Sequence, residues 1–314
     1  METIIEAQNL TKQYSKNNRA RLALASIDLT IEKGQLYGII GPDGAGKTTL
    51  IRILATVIEP TAGSVQLAGF NLKDQAEQIR SKLGYMPQAF SLYPDLTVLE
   101  NLRFFSNING VPPQRQNTRI EELLNFAGLS DFTSRRGRNL SGGMQKKLAL
   151  ACALVHEPEI LLLDEPTTGV DPTSRRQLWQ LLAKVIQQGK TILVSTPYMD
   201  EAERCSRVSM MDQGKILVSG APQNLTQEMP FRIIEVKARP RSLLRQIADQ
   251  TKGVLGWRAV GDRLRLSVAD PTAIQDKINL KLTAAGANIS ILREAPTQME
   301  DVFIHLVEQR EENK

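Results

Sequence analysis

The segment Gly41-Pro42-Asp43-Gly44-Ala45-Gly46-Lys47-Thr48 has the composition of a loop that holds phosphates. Its glycines let backbone N–H groups turn inward and approach phosphate oxygens closely, and the helix expected to begin near Lys47 adds its positive dipole end. Lys47 is placed to reach the β- and γ-phosphates of a nucleoside triphosphate, and the Thr48 hydroxyl to ligate Mg²⁺. A second piece is Ile160-Leu161-Leu162-Leu163-Asp164-Glu165. An apolar strand ending in two carboxylates puts Asp164 at a sheet edge, where it can hold Mg²⁺ through water. Glu165 can then polarise a water for in-line attack on the γ-phosphate. A third is Leu140-Ser141-Gly142-Gly143-Met144, a serine cap before a helical run. It reads equally as a plain helix start and as a second anion site.

The flanking elements suit these roles. Gln35–Ile40 is a short apolar run ending at the glycine loop, and from Lys47 the apolar positions Leu50, Ile51, Ile53, Leu54 and Val57 take helical spacing. Glu159–Asp164 and Lys190–Ser195 are further buried runs, preceded by helical stretches over 144–155 and 173–188. Strands are also expected at 3–10 and 27–31. Alternating helices and short buried strands imply an α/β domain with a largely parallel sheet. Residues 89–140 break this rhythm and read as a separate helical lobe, with helices at Val98–Asn107 and Asn117–Ala127. Beyond about residue 222 the order is strand 231–238, helix 242–250, hairpin 256–260 and 263–268, helix 272–285, strand 287–293. This βαββαβ order is that of a ferredoxin-like domain. Thr297-Gln298-Met299-Glu300 reads as a capping box opening a last helix.

Composition narrows the possibilities. Hydrophobic residues make up 41% and charged residues 23% of 314 residues, with a net charge of +5. No apolar run reaches the roughly 18–20 residues of a membrane span. The segment Met1–Glu6 carries two acids and no apolar stretch, so no secretory leader is expected. Cys152 and Cys205 read as reduced packing residues, which fits a cytoplasmic setting. His156 and His305 lie far apart and do not suggest a histidine metal site. Basic pairs such as Lys146-Lys147 and Arg175-Arg176 are scattered, so no nucleic-acid partner is expected.

Together the three motifs resemble the nucleotide-binding domain of ABC transporters over residues 1–220. The resemblance implies a P-loop NTPase of ABC type: a RecA-like α/β core, an antiparallel β part and a helical lobe at about 89–150. The ATPase domain spans 1–222 and a small C-terminal α+β ferredoxin-like domain spans 223–314. It further implies that Ser141, Gly142 and Gly143 close over ATP held by the phosphate loop of a second subunit, homodimeric or heterodimeric. That loop counts as the ATP-contacting set Gly41, Pro42, Asp43, Gly44, Ala45, Gly46, Lys47, Thr48 and Thr49. Tyr14 would stack on adenine, and Gln88 would sense Mg²⁺ and the attacking water. Asp171, in Thr168-Gly169-Val170-Asp171, would sit in the loop communicating across the dimer at the nucleotide. Ala295–Leu306 and residues 84–104 are similar to ABC-2-type exporter ATPases. That likeness implies membrane-spanning permease partners on the inner face of the membrane, with Tyr93, Leu96, Phe104 and Phe105 as candidate contacts.

Two positions depart from the pattern. Met144 stands where the signature usually has Gln. Pro197 stands where the family has its switch histidine, and proline offers neither a side-chain donor nor a backbone N–H. Two outcomes stay open at this point. In one, hydrolysis proceeds through Glu165, Gln88 and Mg²⁺ with help from the Thr196 or Tyr198 hydroxyl. In the other, the site mainly binds ATP beside a competent partner. A soluble ABC ATPase is a third alternative.

Overall fold

The computed structural model describes residues 2–16, 19–89 and 92–312; residues 90–91 of the expected lobe lie outside them. Its elements run β1 (Thr3–Lys16), β2 (Arg19–Glu32), β3 (Leu36–Ile40), α1 (Lys47–Leu54), β4 (Ala62–Leu67), β5 (Phe70–Asn71), α2 (Ala76–Lys82) and β6 (Leu83–Met86). Then come α3 (Val98–Ile108), α4 (Pro113–Ala127), α5 (Gly142–Ala153), β7 (Ile160–Asp164), α6 (Pro172–Gln187), β8 (Thr191–Thr196), β9 (Arg207–Asp212) and β10 (Lys215–Gly220). The remainder is α7 (Pro222–Gln227), β11 (Arg232–Arg239), α8 (Arg241–Asp249), β12 (Val254–Val260), β13 (Arg263–Val268), α9 (Pro271–Ala284), β14 (Asn288–Ala295) and α10 (Met299–Glu312). The chain divides into two compact units, Met1–Pro222 and Gln223–Lys314.

In the first unit a six-stranded sheet has the order β10-β9-β3-β8-β7-β6 and a four-stranded antiparallel sheet the order β2-β1-β4-β5. Strands β3, β8, β7 and β6 run parallel, and their registers pair Ile40 with Thr196 and Asp164 with Ser195. The ends of β3, β7 and β8 therefore share one sheet edge, where an open α/β sheet places its ligands. Helix α1 fills the space between the sheets. Leu50, Ile51, Ile53 and Leu54 are buried against Ile5, Leu10, Leu24 and Ile39.

The strands expected at 3–10 and 27–31 are parts of much longer hairpin arms. The outer half of β1, Lys12–Lys16, is polar apart from Tyr14, and that of β2 runs Leu22-Ala23-Leu24-Ala25 with no polar alternate, so apolar alternation marks neither. The lobe holds α3, α4 and α5. A reciprocal Thr97–Glu100 capping box starts α3, and Gly128 at φ 65° ends α4. Tyr93 is exposed and stacks edge-on with Phe104 (4.4 Å between centroids), which meets Phe105 at 5.6 Å. Among the described residues no helix is long and apolar enough to cross a membrane.

The second unit is a four-stranded antiparallel sheet in the order β12-β13-β11-β14. That is the ferredoxin-like order. Leu244, Ile247, Ile274, Ile278 and Leu282 of α8 and α9 pack on Ile234, Val236, Leu264 and Leu266. The expected Thr297–Glu300 capping box does not form. The Gln298 N–H donates to Asp301 Oδ2 (2.8 Å) instead, shifting the cap by one residue. Glu300 is drawn away into an ion pair with Arg258 (2.7 Å).

Candidate functional site

Loop 41–46 turns the chain from β3 into α1, and its glycines are required by space. A Cβ on Gly41 would run into the Met211 carbonyl. Gly46 caps α1 at φ +109°, and a Cβ there would lie 2.6 Å from the Ala23 carbonyl oxygen. Lys47 is buried at 3% exposure, and its Nζ donates to the carbonyls of Gly41 (2.7 Å) and Pro42 (3.0 Å). It also lies 3.7 Å from Glu165 Oε1. Burial pulls the Lys47 pKa below the ordinary lysine value, while Glu165, Asp43 and Asp164 act in the opposite sense.

Asp164 ends β7 fully buried. Its Oδ1 accepts from Thr48 Oγ1 (3.1 Å) and Ser195 Oγ (2.6 Å). Its Oδ2 is buried without a hydrogen-bond partner among the described residues. An unsatisfied buried carboxylate oxygen is costly. With the Thr48 hydroxyl beside it and the Gln88 amide nearby, the group offers oxygen donors suited to a hard divalent cation. Glu165 follows with φ +48°, a left-handed conformation that costs a non-glycine residue about 1–3 kcal/mol. Its N–H is held by Ser195 through both the hydroxyl (3.0 Å) and the carbonyl (3.2 Å). Its Oε2 accepts from Gln88 Nε2 (2.8 Å) and Thr168 Oγ1 (3.1 Å). Lys146 of α5 donates to the Gln88 carbonyl (3.3 Å).

These groups surround a cleft of about 540 Å³ lined by Tyr14, Arg21, Leu22, Ala23, Asp43, Gly44, Gly46, Lys47, Thr48, Thr49, Gln88, Glu165 and Gln213. Tyr14 is 41% exposed, with Lys12 Nζ 5.3 Å from its ring centroid. Gly41 and Ala45 are buried and Pro42 is exposed; they shape the loop without lining the cleft, and Asp164 lies outside the lining. Arg21, Leu22, Ala23 and Gln213 were not expected. The pairing of Tyr14 with Arg21 across the hairpin brings the first of them in, and only that long-range register reveals it.

Ser141, Gly142, Gly143 and Asp171 do not line the cleft; they form a group of their own. Ser141 caps α5 by accepting from the Met144 N–H (3.3 Å). Asp171 caps α6 by accepting from the Ser174 N–H (2.9 Å), and Ser174 holds its carboxyl below the ordinary aspartate range. Gly143 is buried against the Ser174 side chain, and Gly142 faces the Gly169 carbonyl. The first purpose of Gly143 is thus close packing of α5 on α6.

At the end of β8, Pro197 is half-buried and outside the cleft lining. The Thr196 hydroxyl, expected to assist, is fully buried. It donates to Glu201 Oε2 (2.5 Å) and accepts from the Tyr198 N–H (3.1 Å). The Tyr198 ring lies under the Arg175 guanidinium at 4.6 Å. Neither hydroxyl reaches the cleft, because both side chains serve the local turn. His156 contacts the Leu83 carbonyl (3.1 Å) and does not line the cleft either.

A phosphate-loop α/β core, an antiparallel sheet, a helical lobe and a serine-glycine signature define an ATP-binding cassette. Residues 8–168 match the family model described as ABC transporter, and the chain belongs to that family. It is 45% identical over 231 residues, 74% of this chain, to the probable multidrug ABC transporter ATP-binding protein YbhF of Escherichia coli, and spans 40% of that relative's length. It is 34% identical over 305 residues, covering 96% of both chains, to the Nod factor export ATP-binding protein I of Burkholderia lata. Among solved structures it resembles a dimeric post-hydrolysis state of the ATP-binding cassette MJ0796 bound to ADP and Pi. That likeness has a TM-score of 0.65 at 31% identity and covers 69% of this chain and 98% of the other.

Proposed function

We propose that this chain is the ATP-hydrolysing subunit of an ABC-type exporter and works by closing on a second cassette. The carrying observation is the meeting of Lys47, Thr48, Asp164, Glu165 and Gln88 at one sheet edge while the signature stands apart from that cleft. A signature outside its own cleft suits closure over a partner's nucleotide. Loop 41–49 and Lys47 bind the phosphates, and Tyr14 stacks on the base. Thr48, Asp164 and Gln88 would hold Mg²⁺, which would neutralise charge on the phosphate oxygens. Glu165 takes the proton of the attacking water. The name of the Nod factor export relative supports export, and the Ala295–Leu306 motif supports ABC-2-type permease subunits as partners. With such partners the chain sits peripherally at the cytoplasmic face of the membrane. Asp171 and the signature act on the nucleotide from the partner side.

The test is ATP-dependent dimerisation of Glu165→Gln followed by light scattering, beside phosphate release by the unaltered chain. A dimer with ATP in the variant and turnover in the unaltered chain are expected. A monomer at saturating ATP, or turnover undiminished by Glu165→Gln, overturns the reading.

A further inference from the structure

Glu201 lies in the 3-10 segment Met199–Arg204 after β8 and is fully buried. A buried carboxylate is tolerated when its oxygens are satisfied. Here Oε2 accepts from Thr196 Oγ1 (2.5 Å) and Thr167 Oγ1 (3.1 Å). Oε1 accepts from Arg175 Nε (2.6 Å) and Trp179 Nε1 (3.0 Å). The donors come from three segments: the end of β8, the loop after β7, and α6.

Each segment leads to a functional group. Thr196 follows Ser195, whose hydroxyl binds Asp164 and the Glu165 N–H. Thr167 precedes Thr168, which donates to Glu165. Arg175 follows Ser174, the residue packed on Gly143 of the signature and capped by Asp171. Pro197 supplies no donor in this stretch, so the turn is tied down from beneath, by Glu201. Arg175 is also gripped by Asp200 at 2.8 Å through both carboxylate oxygens, which fixes the guanidinium over the Tyr198 ring.

We infer that Glu201 is a positioning residue that links the signature face of the chain to its own hydrolytic carboxylates through Arg175 on one side and Thr196 and Thr167 on the other. The inference rests on the dimeric reading above. When the signature closes on a partner's nucleotide, α6 moves with it. The Arg175–Glu201 contact passes that displacement to the end of β8 and so to Asp164 and Glu165. Each of the two sites in the dimer then reports its occupancy to the other. Proximity alone does not establish such a link, so the test measures coupling itself.

Phosphate release is measured against ATP concentration for the unaltered chain, Glu201→Gln, Thr196→Val and the double variant Arg175→Met/Glu201→Leu. Melting temperature and the affinity of a fluorescent ATP analogue are measured alongside. The unaltered chain is expected to show a Hill coefficient approaching 2, the number of sites. Glu201→Gln is expected to lower kcat about tenfold and bring the Hill coefficient to about 1, with analogue affinity within about twofold. Thr196→Val, which cuts one link and leaves Arg175 paired, is expected to fall between. The double variant removes both ends of the Arg175–Glu201 link and leaves Thr167, Trp179 and Thr196 without their acceptor, so a lower melting temperature and a Hill coefficient of about 1 are expected. If the double variant keeps cooperativity, or Glu201→Gln and Thr196→Val keep the full Hill coefficient, the inference is overturned and Glu201 serves packing alone. A Hill coefficient of 1 in a chain that dimerises and hydrolyses ATP also overturns it, while leaving the dimeric reading standing. Failure of the unaltered chain to dimerise or turn over removes the dimeric reading itself.

Discussion

Gln88 Nε2 donates to Glu165 Oε2 at 2.8 Å, while Lys47 Nζ stands 3.7 Å from the other oxygen of the same carboxylate. Both oxygens of Glu165 are thereby engaged by side chains of the cleft. In the proposed mechanism Lys47 gives up this contact for phosphate and Gln88 gives up its own, which leaves Glu165 able to receive a proton. Glu165→Gln is therefore expected to cut kcat by about 10²–10⁴, the usual contribution of a general base, with ATP binding retained. Gln88→Ala should be milder, about tenfold in kcat with KM for ATP within about threefold. Steady-state phosphate release separates the two.

Pro197 offers no hydrogen-bond donor at the end of β8, and the neighbouring Thr196 hydroxyl is committed to Glu201. Restoring a donor by Pro197→His is expected to raise kcat about tenfold, equivalent to about 1.4 kcal/mol of transition-state stabilisation. An unchanged kcat in the same assay would mean that the remaining groups already meet that demand.

The sequence made the central machinery legible because its chemistry is local. The glycine loop, the strand ending in Asp164-Glu165 and the Ser141 cap each lie within a few residues. Gln88, Tyr14 and Asp171 needed the resemblance, since nothing in their neighbourhoods announces a ligand. The Glu201 hub was not legible. It joins Thr167, Arg175, Trp179 and Thr196 through side-chain geometry that no spacing rule encodes. Ser195 was missed as a functional residue for a related reason. Its role depends on the parallel register that sets it opposite Asp164. The cap of α10 moved by one residue because Arg258 competes for Glu300, a long-range ion pair outweighing a local motif.

Gly46 combines φ +109° with the Ala23 carbonyl in the space a side chain would take. Gly46→Ala meets both the conformational penalty of about 1–3 kcal/mol and a backbone contact that cannot yield cheaply. Loss of about 2–4 kcal/mol in urea denaturation is expected, together with loss of ATP-analogue binding. Gly44→Ala has φ +81° but open space around its Cβ, with only the Arg21 guanidinium at 3.9 Å. It should cost about 1 kcal/mol and leave the helix start in place.

Burial pushes the Cys205 thiol up to about 12, with the Glu201 charge adding to the effect, and burial alone raises Cys152 further. In the unfolded chain a thiol titrates near about 8.5. Between those values the folded protein binds more protons than the unfolded one, so stability falls as pH rises. Cys205→Ala should reduce this fall by about 1.4 kcal/mol per pH unit above pH 9, read from denaturation midpoints at pH 8, 9 and 10. At pH 8 neither thiol of the folded protein should react with an alkylating reagent within minutes, and both should react in denaturant.

Arg265 and Asp301 in the second unit are both about 3% exposed and paired at 2.9 Å. Arg258 also donates to Asp301, at 2.8 Å, and Glu235 takes the other arm of Arg265 at 3.1 Å. Removing Asp301 leaves a buried guanidinium without its main counter-charge and deprives Gln298 of the cap of α10. Asp301→Ala is expected to cost the second unit about 3–5 kcal/mol. Because the chain has two compact units, the effect should appear as one transition moving to lower urea while the other stays, rather than as a uniform shift. The double variant Arg265→Met/Asp301→Leu removes both charges together, and Glu235 keeps Arg263 and Arg293 at 3.1 Å each. Its second-unit transition should return to within about 1 kcal/mol of the unaltered chain, less the lost cap. A double variant no more stable than Asp301→Ala would show that the network's geometry, and not the uncompensated charge, holds this unit together.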